Sequence, residues 1–129
     1  MMSPSTLAIS LAVALLVAVA GSRSYSRQNA SGSTIDGDDI AGVVTSRFGP
    51  EAGVWVIAET KDLGTRFAKI VVTDDAGRFV VPDLPKAHYQ LWVRGYGLVD
   101  SRKVAADPGS RHNLAAEIAP NLAAAAQYY

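Results

Sequence analysis

The chain has 129 residues and a mass of 13.6 kDa, with twelve lysines and arginines against twelve aspartates and glutamates, and no cysteine. The length allows one domain, and the zero formal net charge removes the long-range pull toward nucleic acid or anionic lipid. The lack of cysteine excludes a disulfide framework, a thiol nucleophile and a thiolate metal site.

Residues 7–20 form an uncharged run, Leu-Ala-Ile-Ser-Leu-Ala-Val-Ala-Leu-Leu-Val-Ala-Val-Ala. As a helix, about fourteen residues span roughly 21 Å, short of the ~30 Å hydrocarbon core of a bilayer. The run ends on Ala18-Val19-Ala20, with the small residues a signal peptidase needs. Residues 1–20 are therefore expected to be a signal peptide cleaved near Ala20, sending the protein to a secreted or periplasmic location. The alternative is an uncleaved anchor or a buried helix. No cysteine follows to carry a lipid, and no membrane association is expected after cleavage. Residues 21–38 are rich in serine and glycine and poor in large apolar side chains. They bury too little surface to offset their ordering entropy and are expected to be a flexible linker.

From Asp39 onward, short β-rich runs alternate with turn residues. Asp39–Thr45, Gly53–Thr60, Thr65–Thr73, Arg78–Val81, Ala87–Arg94, Leu98–Ala105 and Arg111–Ile118 read as strands. Arg47-Phe48-Gly49-Pro50 separates the first two, and Asp107-Pro108-Gly109-Ser110 the last two. Between the third and fourth, Asp74-Asp75-Ala76-Gly77 reads as an aspartate-initiated type I turn joining a hairpin, with Gly77 able to take positive φ. Pro82 and Pro85 bracket a corner, since proline cannot donate to a ladder. About seven strands with turns every eight to twelve residues predict an all-β fold, a seven-stranded antiparallel β-sandwich over residues 39–118.

Alternation assigns the faces. Tyr89, Leu91 and Val93 share a face with Ala52, Val54, Val56 and Ala58, taken as core, with Phe79, Val81 and Leu84 also inward. His88, Gln90, Trp92 and Arg94 then point outward, as do Trp55, Ile57 and Glu59. Both tryptophans fall on the solvent register. Residues 119–129 read as a tail: Pro120 stops the last strand, and Asn121 is a good N-cap for a short helix over 122–127. The chain then ends on Tyr128-Tyr129, aromatics with nothing in the tail to bury them. This suggests the front of a longer protein.

The succession Ile40-Ala41-Gly42-Val43-Val44, Ala52-Gly53-Val54-Trp55-Val56, Thr73-Asp74-Asp75-Ala76-Gly77-Arg78-Phe79, Leu84-Pro85, Tyr89-Gln90-Leu91-Trp92-Val93 and Gly95-Tyr96 resembles the carboxypeptidase regulatory-like domain. The T-D-x-x-G-x-F segment, followed by L-P and Y-x-L-x-V, is its specific part. His88 stands where that family usually has glycine. The resemblance covers roughly 39–118 and implies a transthyretin-like sandwich related to starch-binding domains. Such domains are accessory folds on secreted or surface proteins, not peptidases.

The residues offer little chemistry. A zinc peptidase needs closely spaced histidine and carboxylate ligands, but His88 and His112 are the only histidines and no H-E-x-x-H occurs. No G-x-S-x-G elbow supports a serine triad. Asp74 and Asp75 are read as structural turn residues with Gly77. Asp36, Asp38 and Asp39 offer carboxylates for calcium without EF-hand spacing, so no metal and no cofactor are expected. Gly95-Tyr96-Gly97 has no following helix and is no phosphate loop.

The expectation is thus a non-catalytic accessory module with a contact face of Trp55, Trp92, Gln90 and Arg94, since interface cores favour tryptophan and arginine. Its partner would be a downstream domain of the same protein, or another protein. One alternative is a carbohydrate-binding module stacking a polysaccharide on the two indoles. Another is the accessory front end of an enzyme whose catalytic part lies outside this chain.

Overall fold

The computed structural model describes residues 34–127. The expected signal peptide, most of the expected linker and the Tyr128-Tyr129 pair lie outside the described residues. The strands are β1 (Ile40–Ser46), β2 (Gly49–Pro50), β3 (Trp55–Thr60), β4 (Phe67–Val72), β5 (Arg78–Val81), β6 (Tyr89–Arg94), β7 (Leu98–Val99), β8 (Val104–Ala106), β9 (Arg111–Ala115) and β10 (Glu117–Ile118), followed by helix α1 (Leu122–Ala126).

Apart from a separate antiparallel two-stranded sheet of β7 and β10, two four-stranded sheets form a sandwich-like, all-β architecture. One, here the outer sheet, runs in the order β4-β3-β6-β8, all antiparallel. In the other, β1 pairs with β2 and β5 on one side and with β9 on the other. The predicted inward residues other than Ala52 meet between them, joined by Ile40, Val44 and Leu114. Ile40, Val44, Phe79, Val81 and Leu114 from one sheet pack with Val54, Val56, Ala58, Tyr89, Leu91 and Val93 from the other, and Leu84 closes the corner. Burying each large aliphatic or aromatic side chain of this kind contributes about 1.5–3 kcal/mol. Phe67 meets the Tyr89 ring edge-on at 6.4 Å, and the Tyr89 hydroxyl donates to the Pro85 carbonyl. Burial raises the Tyr89 pKa above the usual phenol value.

Three expectations are corrected. The sandwich is not wholly antiparallel, because β1 and β9 run parallel from Ala41↔Arg111 to Thr45↔Ala115. Asp74–Gly77 does not join a hairpin: β4 pairs with β3 while β5 pairs with β1, so the turn carries the chain from one sheet to the other. Ala52 is exposed rather than inward, since the chain turns there before β3 begins.

The turn chemistry itself is as expected. The Gly77 N–H donates to the Asp74 carbonyl at 2.9 Å, with Gly77 at φ 73°. The Asp74 carboxylate accepts from the N–H groups of Ala76 and Arg78 and from Arg78 Nε. The bond from the Arg78 backbone leads the interactions holding the Asp74 pKa below 3.8. Asp75 is exposed at the turn's tip. At the far end, Asn121 caps α1 through a 2.9 Å bond from Ala124 N, as its position predicted. No helix among the described residues is long and apolar enough to cross a membrane.

Candidate functional site: the outer face of the β4-β3-β6-β8 sheet

Strand register places Trp55, Trp92, Gln90 and Arg94 on one face. Trp55 lies opposite Arg94, Ile57 opposite Trp92, and Glu59 opposite Gln90. Across β3, Val72, Ile70 and Ala68 of β4 extend the same three rows. The face carries an apolar band, Val72-Trp55 and Ile70-Ile57-Trp92, with charges at its margins, but Ile57 and Glu59, expected to be solvent-facing, are buried on it.

The two indoles differ. Trp55 is 44% exposed, whereas Trp92 is 8% exposed. The expectation that Trp92 is a solvent-facing contact residue is therefore corrected. Alternation gave its face correctly but not its cover. Lys103 lies at the next register position beyond the Leu91↔Val104 pair, and its ammonium stands 4.4 Å from the Trp92 ring centroid. A cation over the indole face is attracted by the ring quadrupole.

Lys103 is held there by Glu59. Its Nζ donates to Glu59 Oε1 at 2.8 Å, and Arg66 Nη2 donates to Glu59 Oε2 at 3.1 Å. Burial pushes the Glu59 carboxyl upward, but the two hydrogen bonds and the charges behind them more than offset it. Glu59 therefore titrates below the ordinary 4.5. Arg94 is also engaged, with Nε and Nη2 forming a two-bond fork on Asp100 at 2.8 and 2.7 Å. That geometry fixes the guanidinium plane of the residue opposite Trp55 in the ladder. Gln90 is exposed at the third row. Sequence reading placed Glu59 on this face but missed its ion pairs, and it missed Lys103 and Asp100 as parts of the face. Their charges were visible, but their pairing depends on strand register.

A second group of polar residues lies at one end of the sandwich. His88 Nδ1 is 2.6 Å from Asp107 Oδ1, and its backbone N–H donates to Asp62 at 3.1 Å. The bond to Asp107 raises the His88 pKa above 6.5. Ser110 Oγ lies 2.8 Å from His112 Nε2. The histidine that meets serine is thus not the one that meets aspartate, and no serine–histidine–aspartate relay is assembled from them. Asp36, Asp38 and Asp39 bring carboxylate oxygens within 4.8 Å of one another. The Asp39 carboxylate accepts from the N–H groups of Asp36 and Asp83, which serves the chain's own turn and corner. No family model matches the chain, and a search of curated proteins finds no match.

Proposed function

We propose that this protein is a non-catalytic β-sandwich accessory module that docks a neighbouring domain or another protein through the outer face around Trp55. The observation that carries this reading is the apolar band itself. Trp55, Ile70 and Val72 remain 44%, 53% and 57% exposed side by side, on a sheet whose opposite face already packs the core. A contiguous apolar band rimmed by charge is the composition of a protein interface. Among the described residues, the seven strands of three residues or more, divided three and four between the two four-stranded sheets, support the transthyretin-like, carboxypeptidase regulatory-like layout that the T-D-x-x-G-x-F and Y-x-L-x-V segments resemble. The leader-like run at residues 7–20 supports export to a secreted or periplasmic location.

The test is oxidative footprinting of the protein in its native extract and after purification. Docking predicts that Trp55 is oxidised in the purified chain and protected in the extract. Equal labelling in both would end the reading. Titration with soluble polysaccharides, followed by indole fluorescence, separates the carbohydrate-binding alternative. A saturable shift that disappears in Trp55→Phe would favour a sugar ligand over a protein.

A further inference from the structure

Strand β4 ends the outer sheet, and no strand lies beyond it among the described residues. The Thr73 N–H donates to the Val54 carbonyl at 2.9 Å. Ladder bonds alternate along an antiparallel pair, so Val71, Lys69 and Phe67 also turn their backbone groups toward β3. Ala68, Ile70 and Val72 then direct their N–H and C=O groups to the open side. These three residues also carry the exposed side chains of the strand. A six-residue edge with no proline and an apolar face is a template for another strand.

The other edges offer less. β5 has four residues and is closed by Pro82, β8 has three and runs into Asp107-Pro108, and β9 has five but opens on the polar run Arg111-His112-Asn113 in place of an apolar face. Lys69, the one charge within β4, turns inward and donates to the Pro82 carbonyl of its own chain. Its ammonium is thereby drawn off the edge.

We propose that two copies of this chain pair through β4, antiparallel, about a two-fold axis at Ile70. This register alone aligns all three outward residues of each copy: Ile70 with Ile70, and Ala68 with Val72 twice. The small side chain faces the larger one, and the two four-stranded sheets become continuous. Charge favours a second copy as the occupant. Arg66 and Asp74 lie equally far from Ile70 on either side, so each Arg66 is brought to the Asp74-Asp75 turn of the other copy. A parallel arrangement would set like charges together at both ends. The apolar contact is only three residues wide per copy, far less than the ~800 Å² per partner of a standard stable interface. The dimer is therefore reversible and forms with rising concentration. The pairing uses the sheet edge and does not depend on the docking role proposed for the face.

Because the chain has no cysteine, single cysteines read the register directly. In the full chain, Ile70→Cys treated with a short bis-maleimide is expected to yield a covalent dimer. Ala68→Cys and Val72→Cys are expected to cross-link with each other when mixed, and several-fold less with themselves. Sedimentation of the unmodified chain should show mass rising toward twice the monomer with concentration. Ile70→Pro removes only an outward N–H and should abolish the rise with an unchanged circular dichroism spectrum. Should it misfold, Ile70→Lys serves instead. A monomer at every concentration without Ile70→Cys cross-linking overturns the proposal. So does Val72→Cys self-linking as fast as Ile70→Cys, or a dimer that both Ile70 substitutions leave intact. Trp55 protection in the footprinting experiment is read separately, so either proposal can fail alone.

Discussion

The Lys103 ammonium covers the Trp92 ring at 4.4 Å while its nitrogen bonds Glu59 at 2.8 Å. One side chain therefore joins a carboxylate on β3 to an indole on β6. The two tryptophans were read from the sequence as equivalent, and this contact makes them different. Trp92→Ala should cost about 3 kcal/mol, in the range for removing a buried aromatic. Trp55→Ala should cost less than about 1 kcal/mol, as for a surface position. Urea midpoints of the two single variants check the contrast, and equal losses would contradict it.

The part of the face that was legible in the sequence followed from local alternation. Tyr89-Gln90-Leu91-Trp92-Val93-Arg94 fixes its own two sides without reference to the rest of the chain. Asn121 and Gly77 were likewise readable, because capping and positive φ are local requirements. The partners were not readable. Glu59, Arg66 and Lys103 come from three separate segments, and only the β4-β3-β6-β8 order brings them together. The Asp74–Gly77 turn shows the same limit. Its hydrogen bonds are written in four residues, but whether the next strand returns beside β4 or crosses to β1 depends on core packing far along the chain. The parallel β1–β9 pair rests on the same long-range packing.

Glu59 predicts acid sensitivity with a definite sign. Its folded pKa lies below its unfolded value, so it binds fewer protons when folded. Its contribution to stability is present above the ordinary glutamate value of 4.5 and is lost as pH falls through the lower, folded value. Thermal midpoints should therefore drop through this window, and Glu59→Gln should flatten that part of the profile while lowering stability at neutral pH. An unchanged slope in Glu59→Gln would show that the paired carboxylate does not set the acid limb.

His88 should behave in the opposite sense. Asp107 holds its pKa above 6.5, so the stabilisation is fully present below 6.5 and fades as pH rises through the folded value. An NMR titration of the imidazole reads this directly. Asp107→Asn should bring the midpoint back toward 6.5. A His88 midpoint unaffected by that substitution would show that the 2.6 Å contact does not persist in solution.

Thr73 is buried at the sheet-to-sheet turn, and its Oγ1 accepts from Val54 N at 3.1 Å and donates to the Glu51 carbonyl at 2.6 Å. Thr73→Val keeps the shape but strands a buried donor and acceptor, so it should cost about 2 kcal/mol. Thr73→Ser retains the hydroxyl and should cost clearly less. Denaturant midpoints for the pair distinguish hydrogen bonding from packing, and a serine variant as unstable as the valine one would assign the role to the methyl group.

Gly42 gives the sharpest check on the parallel pair. A Cβ built there falls 1.7 Å from the His112 carbonyl oxygen and 3.0 Å from Phe79. The oxygen is backbone, so no rotamer change relieves the clash. Gly42→Ala must push β1 and β9 apart, breaking ladder bonds between Ala41 and Thr45, or leave the chain unfolded. The cost should exceed about 4 kcal/mol, placing it among the exceptional single substitutions. At Gly37, where a Cβ would meet nothing within 4 Å, alanine should be nearly neutral. If Gly42→Ala folds with an unchanged melting temperature, β9 does not lie against β1. The Leu114 side of the core would then have to be built some other way.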